Sequence, residues 1–406
     1  MRLRKDFKTP RDSGDVRIAG THLSTLLQIQ RHQPLEYDIT MPNPTEYAGM
    51  PREEIDTPVL LVDLPALEHN IAKLAQHFRQ AGKNLRPHTK SHKTPAIAHL
   101  QLAAGAQGIT CAKVGEAEAM ADTGIEDILI ANEVIGRRKI ERLMALATRC
   151  DIMVAVDHPQ NLADLDAAAQ AHNVRPRILV EVNIGHNRCG VAPAAVVDLA
   201  RAASTAHNLR FCGIMGYEGH IVDLEDKQAR DDGAHQCIQR LVDARTAIEA
   251  AGLECQICSA SGTGDYYIST TFDGITEVQA GSYALMDAAY SRLDLGFKNA
   301  LSVLTTVTSR PAPDQIITDA GLKSLTPEHG LPPVKDRPDL ECHALSEEHG
   351  RLKTLDGPCA DLQPCDLLEF IPGHGCTTIN LHDNLYAIRD GRLEAIWPIA
   401  GRGKVR

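Results

Sequence analysis

A short β-rich run followed by an alanine-rich helical stretch recurs eight times along this chain, and that repetition limits the folds open to it. The runs fall at 84–88, 108–112, 127–131, 151–156, 177–183, 210–216, 254–259 and 277–280. Helices are expected at 95–104, 114–123, 137–147, 158–173, 192–207 and 226–251, with the last two crossovers less distinct. Before them, 58–63 reads as a strand and 64–81 as a helix, since Leu67, Ile71, Leu74 and Phe78 recur at helical spacing. Eight such units predict a closed parallel (β/α)8 barrel of the TIM type, although open doubly wound sheets alternate strand and helix too. A barrel gathers its reactive groups where the strands end. Those positions carry Lys90, Lys113, Asn132, Asp157, Arg188, Tyr217, Thr263 and Ser282, whereas the strand interiors are Ile, Leu and Val.

Beyond about residue 295 the texture changes. Strands are expected at 300–309, 315–319, 367–371, 384–389 and 393–398, with frequent Pro and Gly and no long helix. The chain therefore divides into an extension at 1–54, a barrel at 64–295, and a β-rich second domain built from 55–63 and 296–406. The extension is rich in proline and charge and briefly helical at 23–29; it either wraps the body or a partner subunit, or is disordered. A length of 406 residues accommodates both domains.

Charge and cysteine content exclude several classes. The balance of 42 basic and 53 acidic residues, 42 − 53 = −11, argues against a nucleic-acid surface. No apolar run approaches the roughly 18 residues of a membrane span, and the basic start at Arg2–Lys5 has no apolar core behind it. Eleven scattered cysteines without CxxC pairs suit reduced thiols in the cytoplasm.

Arg86-Pro87-His88-Thr89-Lys90-Ser91-His92-Lys93 closes the first barrel run. Strand alternation puts Arg86, His88 and Lys90 on one face and Lys93 on the other. A lysine crowded by Arg86, His88 and His92 has a depressed pKa. Such an amine condenses with an aldehyde, whereas a basic surface loop is the plain alternative. Ser261-Gly262-Thr263-Gly264 and Gly281-Ser282-Tyr283 follow the seventh and eighth runs, where barrels commonly hold phosphate on backbone N–H groups. His374-Gly375-Cys376 places imidazole and thiol two apart, on one side if the backbone is extended. That donor pair suits zinc, whereas a carboxylate would favour manganese or magnesium.

These motifs resemble those of the fold-type III pyridoxal-phosphate enzymes. The branch is that of D-threonine aldolase, 3-hydroxy-D-aspartate aldolase and D-serine dehydratase, with an alanine racemase-like barrel. The resemblance runs from about Ile55 to the end of the sequence. It implies that Lys90 carries pyridoxal 5′-phosphate beside His88. It implies that Gly262, Thr263, Gly264, Gly281, Ser282 and Tyr283 bind the cofactor, with Asp265, Tyr266 and Tyr267 flanking the pocket. The turn Gly185-His186-Asn187-Arg188-Cys189-Gly190-Val191 matches a family turn whose arginine faces the coenzyme ring or a substrate carboxylate. Tyr217 matches a coenzyme-contacting tyrosine.

Aldolase members have a histidine base further along that loop. His220 stands three residues after Tyr217, and the expected longer spacing falls on Asp223. His374 and Cys376 match the ligands of a divalent metal, zinc, manganese, magnesium or cobalt. Asp319–Lys323 and Ser346–Gly350 match segments that build the site wall or are simple turns. The implied activity is aldol cleavage of a small D-configured β-hydroxy-α-amino acid to glycine and an aldehyde, in a cytoplasmic homodimer without nucleic-acid or membrane partners. The runner-up is dehydration to a keto acid and ammonia on the same scaffold. A non-catalytic coenzyme carrier and a racemase remain further alternatives. The segments at 132–134, 264–267, 281–287 and 397–404 look closest to the aldolases.

Overall fold

The computed structural model describes residues 48–406; the helix expected at 23–29 lies outside them. The first strand, β1 (Val59–Asp63), leads into α1 (Leu64–Ala81). Asp63 caps that helix by accepting from the Ala66 N–H at 2.8 Å, and Gly82, at φ 63°, ends it. Leu67, Ile71, Leu74 and Phe78 are its buried face, as the spacing predicts.

Eight parallel strands follow: β2 (Asn84–Leu85), β3 (Ile109–Cys111), β4 (Asp127–Glu133), β5 (Asp151–Val156), β6 (Arg177–Glu181), β7 (Arg210–Met215), β8 (Ile257–Ala260) and β9 (Glu277–Val278). They pair in the order β2-β9-β8-β7-β6-β5-β4-β3, and a parallel bridge between His88 and Thr110 joins the two ends. The sheet is thus closed, and the open doubly wound alternative falls away. The outer helices are α2 (Pro95–Ala103), α3 (Val114–Ala121), α4 (Arg137–Ala147), α5 (Pro159–His172), α6 (Val196–Thr205) and α7 (Lys227–Ala250). The two indistinct crossovers hold only the single turns α8 (Tyr266–Ser269) and α9 (Ala288–Ser291).

Alternation along the strands sorts the core into two clusters. Ile128, Ile130, Ile152, Val154, Ile178 and Val180 belong with the helices. Their neighbours Leu129, Met153, Ala155 and Leu179 pack with Cys212 and Met215 as a separate cluster. Arg86 departs from its expected place beside Lys90. It is fully buried, and its guanidinium binds Glu277 at 3.1 Å and Asp127 at 2.8 Å, the first residues of β9 and β4. It therefore plugs the end where strands begin, opposite the reactive loops. Asp127 is shared with Arg177, so the plug is an ion network rather than a lone charge.

The second sheet is mostly antiparallel. It comprises β10 (Leu301–Ala312), β11 (Gln315–Thr318), β12 (Leu340–Leu345), β13 (Gly350–Thr354), β14 (Leu367–Phe370), β15 (Asn384–Arg389) and β16 (Arg392–Pro398), joined by β1. β1 lies between β10 and β15, antiparallel to the first and parallel to the second. The hairpin β12–β13 was not expected. Its turn is the Ser346–Gly350 segment, and it packs on Asp319–Lys323 through Leu322 N–H to Ser346 O at 2.8 Å. The short helix α10 (Gly375–Ile379) packs against the turn Thr89–Ser91 at the barrel mouth.

Candidate active site

A cavity of about 220 Å³ opens at the C-terminal ends of the barrel strands. Lys90, His88, Asn132, Arg188, Tyr217, Gly262, Thr263, Gly281 and Ser282 line it, as do Glu133, Glu181, Gln279 and Tyr290. Lys113 and Asp157, also expected at the mouth, are not in the lining.

The chain leaves the strand at His88 and makes a 3-10 turn over Thr89–Ser91, so simple alternation stops before Lys90. The His88 Nδ1 accepts from the Lys90 N–H at 3.4 Å and sets the start of that turn. Lys93 is not a free surface lysine. It is buried at φ 53° and ion-paired with Glu116 at 3.0 Å, which also accepts from Thr89 Oγ1 at 2.6 Å. The turn bearing Lys90 is therefore staked from beneath. Burial lowers the Lys90 amine below its usual range. Arg188 and Lys93 lower it further, while Cys376 and Glu116 oppose them. The expected direction holds, but the cause is desolvation with Arg188 and Lys93, not Arg86 and His92. His92 is buried, with its Nδ1 accepting from the Thr94 N–H at 3.1 Å. Burial and the charges of Lys90 and Lys93 drive His88 well down, so its imidazole is neutral.

The loops after β8 and β9 meet at one side of the cavity. The backbone N–H groups of Thr263, Gly264, Gly281 and Ser282 have no acceptor among the described residues. Gly281 sits so close to His88 that an added Cβ would meet the His88 carbonyl oxygen at 2.5 Å. Gly264 is a glycine for a different reason: a Cβ there would strike the Val222 carbonyl oxygen, and the residue does not line the cavity. Tyr283 also turns away. Its N–H donates to Thr263 Oγ1 at 3.0 Å, and its buried hydroxyl accepts from Gln101 at 3.0 Å. Asp265 lies beneath the loop, accepting from the Gly262 N–H at 3.1 Å.

Arg188 and Lys90 each lie 5.6 Å from the centroid of the Tyr217 ring, which itself stands against Gly262. His220 is not in the lining. Its ring stacks on His186 at 5.9 Å, and His186 in turn meets Tyr217 edge-on at 5.9 Å. The residue expected to act as base therefore reaches the cavity only through His186. Asp223, at the longer spacing, lies 3.9 Å from His329 of the second domain.

Glu133 and Glu181 escaped sequence reading. Burial pushes the Glu181 carboxyl up to about 9, and the Glu133 carboxylate beside it adds to the effect. Raised this far, Glu181 keeps its proton at neutral pH, so it adds no negative charge to the cavity. The alternation of β6 was the available signal, since it sends Glu181 to the same side as Leu179.

His374 and Cys376 do face one another, but not on extended backbone. His374 is the N-cap of α10 and Cys376 lies in its first turn. The His374 Nδ1 is 2.9 Å from Asp287 Oδ2, in the loop after β9. Burial acts to lower this imidazole, but Asp287 and Cys376 outweigh it and push it up to about 10. The His329 ring lies 4.9 Å away.

A closed parallel barrel with an amine of lowered pKa and two glycine-bearing loops at its mouth, followed by a β domain, is the arrangement of a fold-type III pyridoxal-phosphate protein. The model of the alanine racemase N-terminal domain matches residues 62–289, and that of a serine dehydratase domain matches 300–388. The 3-hydroxy-D-aspartate aldolase of Paracoccus denitrificans strain Pd 1222 is 42% identical, over 88% of this chain and 94% of its own. A crystal structure of D-threonine aldolase from Filomicrobium marinum superposes with a TM-score of 0.87 at 39% identity, covering 88% of this chain and 98% of that one. The D-threo-3-hydroxyaspartate dehydratase of Delftia sp. strain HT23 is more distant, 29% identical over 80% of this chain and 92% of its own. The chain belongs to the alanine racemase-like family, in the branch of the D-threonine and 3-hydroxy-D-aspartate aldolases.

Proposed function

We propose that this protein is a pyridoxal-phosphate- and divalent-metal-dependent aldolase that cleaves a D-configured β-hydroxy-α-amino acid to glycine and an aldehyde. The carrying observation is that α10, which bears Cys376 and is capped by His374, packs against the turn that bears Lys90, with Cys376 opposing the lowering of the lysine pKa, while neither His374 nor Cys376 lines the cavity itself. D-threonine and 3-hydroxy-D-aspartate are the substrates to test, given the two aldolase relatives.

Supporting the coenzyme are the desolvated Lys90 amine and the unpaired N–H groups of Thr263, Gly281 and Ser282 in the cavity lining, which suit a phosphate. When bound, pyridoxal phosphate supplies an electron sink for bonds broken at the substrate Cα. Lys90 is the amine that holds it. His88, Arg188, Tyr217, Gly262, Thr263, Gly281 and Ser282 border the coenzyme space. Gly264 and Tyr283 shape the loops from behind. Arg188, a permanent cation at the rim, attracts the substrate carboxylate.

Supporting the metal are the thiol of Cys376 and the His374 imidazole. Zinc suits this donor set, with manganese, magnesium and cobalt as alternatives. A divalent ion there lowers the pKa of a bound hydroxyl. His186 and His220 form a stacked imidazole pair beside Tyr217, with His186 the member that meets its ring.

We assign 64–295 to the coenzyme domain, 55–63 and 296–406 to the metal-bearing domain, and 1–54 to an extension. The reading includes a cytoplasmic homodimer. All eleven cysteines are free, in keeping with a reducing compartment, and no helix among the described residues is long and apolar enough to cross a membrane.

The test is a panel of D-amino acids incubated with holoprotein, with glycine, aldehyde, ammonia and keto acid all measured. Glycine and aldehyde in equal amounts are expected. Ammonia and keto acid without glycine would make it a dehydratase, a reading that the serine dehydratase domain match over 300–388 keeps in play.

A further inference from the structure

Asp287 is the carboxylate that ties the loop after β9 to His374 of the second domain. It is 2% exposed and makes three contacts. Its Oδ1 accepts from the Tyr290 N–H at 2.9 Å, which caps α9. Its Oδ2 lies 2.9 Å from both the His374 Nδ1 and the Gly375 N–H. One buried oxygen atom thus serves groups of the second domain from a barrel loop.

We propose that Asp287 is the positioning residue for a metal ion at His374. This rests on the metal reading given above and adds a residue to it. Asp287 engages the His374 Nδ1, so an ion held by this ring must approach its other nitrogen. Nε2 is the nitrogen free to ligate. The same bond fixes the ring's rotation, because Asp287 is itself held by the caps on Tyr290 and Gly375. Ligand orientation by an outer carboxylate of this kind typically contributes tenfold to a hundredfold in metal affinity. Asp287 also sits six residues beyond Gly281, so one loop serves the anion cradle and the metal histidine together.

The experiment compares full-length holoproteins: wild type, Asp287→Ser, Asp287→Asn and His374→Ala. Serine keeps an oxygen to cap α9 but cannot reach His374. Asparagine keeps the shape but gives up one of the two acceptor oxygens. Each protein is stripped with chelator, and Zn²⁺ affinity is read by competition with a chromophoric chelator. The coenzyme absorbance and far-UV circular dichroism are recorded alongside.

Wild type is expected to bind one Zn²⁺ that His374→Ala loses. Folded Asp287→Ser is expected to bind it about 10–100-fold more weakly with both spectra unchanged. Wild-type affinity in a folded Asp287→Ser protein overturns the inference while leaving the metal site standing. No zinc lost on His374→Ala overturns the metal reading and the inference with it. If Asp287→Ser does not fold, Asp287→Asn decides between the same outcomes.

Discussion

The amine of Lys90 lies 5.6 Å from the centroid of the Tyr217 ring, the distance that also separates the Arg188 guanidinium from it. Both cations thus approach the same aromatic ring. Replacing Lys90 with alanine is expected to abolish borohydride-fixable coenzyme and to cut turnover by more than about a thousandfold. Mass spectrometry of the reduced protein is the measurement; coenzyme still fixed to the variant would sink the assignment.

The depressed amine predicts a pH profile for coenzyme uptake. Lys90 reacts as the free base, and burial first, then Arg188, lowers its pKa. The rate of pyridoxal-phosphate incorporation into apoprotein should rise with a midpoint below the ordinary lysine value of about 10.4. Arg188→Met removes one lowering charge, so the midpoint should move up. A midpoint unmoved by that change would assign the depression to burial alone.

Glu181 binds its proton more tightly in the folded chain, at about 9, than in the unfolded one. The folded state therefore holds more protons between the ordinary carboxylate range and that value, and its stability falls as pH rises through the interval. Glu181→Gln removes the titration. Apoprotein melting curves should show the variant gaining on wild type from pH 5 towards pH 9, with no such gain below the carboxylate range.

Arg86 predicts a stability effect without a chemical one. Arg86→Met strands the buried Glu277, and losing one partner of a buried pair costs about 3–5 kcal/mol. Urea midpoints should fall accordingly, while the coenzyme spectrum of the folded fraction stays as in wild type. A spectrum that changed with the midpoint would return Arg86 to the cavity.

Cys376→Asp swaps a soft ligand for a hard one. Metal competition should show preference moving from Zn²⁺ towards Mn²⁺, with His374 retained as the common ligand. Unaltered preference would place the ion on other residues.

The sequence made the barrel legible because burial on both faces gives its strands continuous apolar runs and its helices a clear period. It misled at Arg86 and Lys93 because alternation does not say where a strand stops; β2 ends at Leu85, and a 3-10 turn takes over after His88. The hairpin β12–β13 was hidden by its charged outward residues, although Leu340, Cys342, Gly350 and Leu352 alternate inward. Motif spacing singled out Lys90, the two glycine-bearing loops and His374–Cys376, of which Lys90 and the loops line the cavity and the His–Cys pair does not. It could not separate Gly264 and Tyr283, which support a loop, from Gly262 and Ser282, which line the cavity. Asp287 and Glu181 act through neighbours distant in the chain, and no local pattern marks such partners.

The position of β1 has a consequence for biosynthesis. It is made before any barrel strand, yet its partners β10 and β15 are translated after all of them. A nascent chain can complete the ring that bears Lys90 while β1 still waits for both neighbours. The lysine pocket is then fully translated before His374 and Cys376 have left the ribosome.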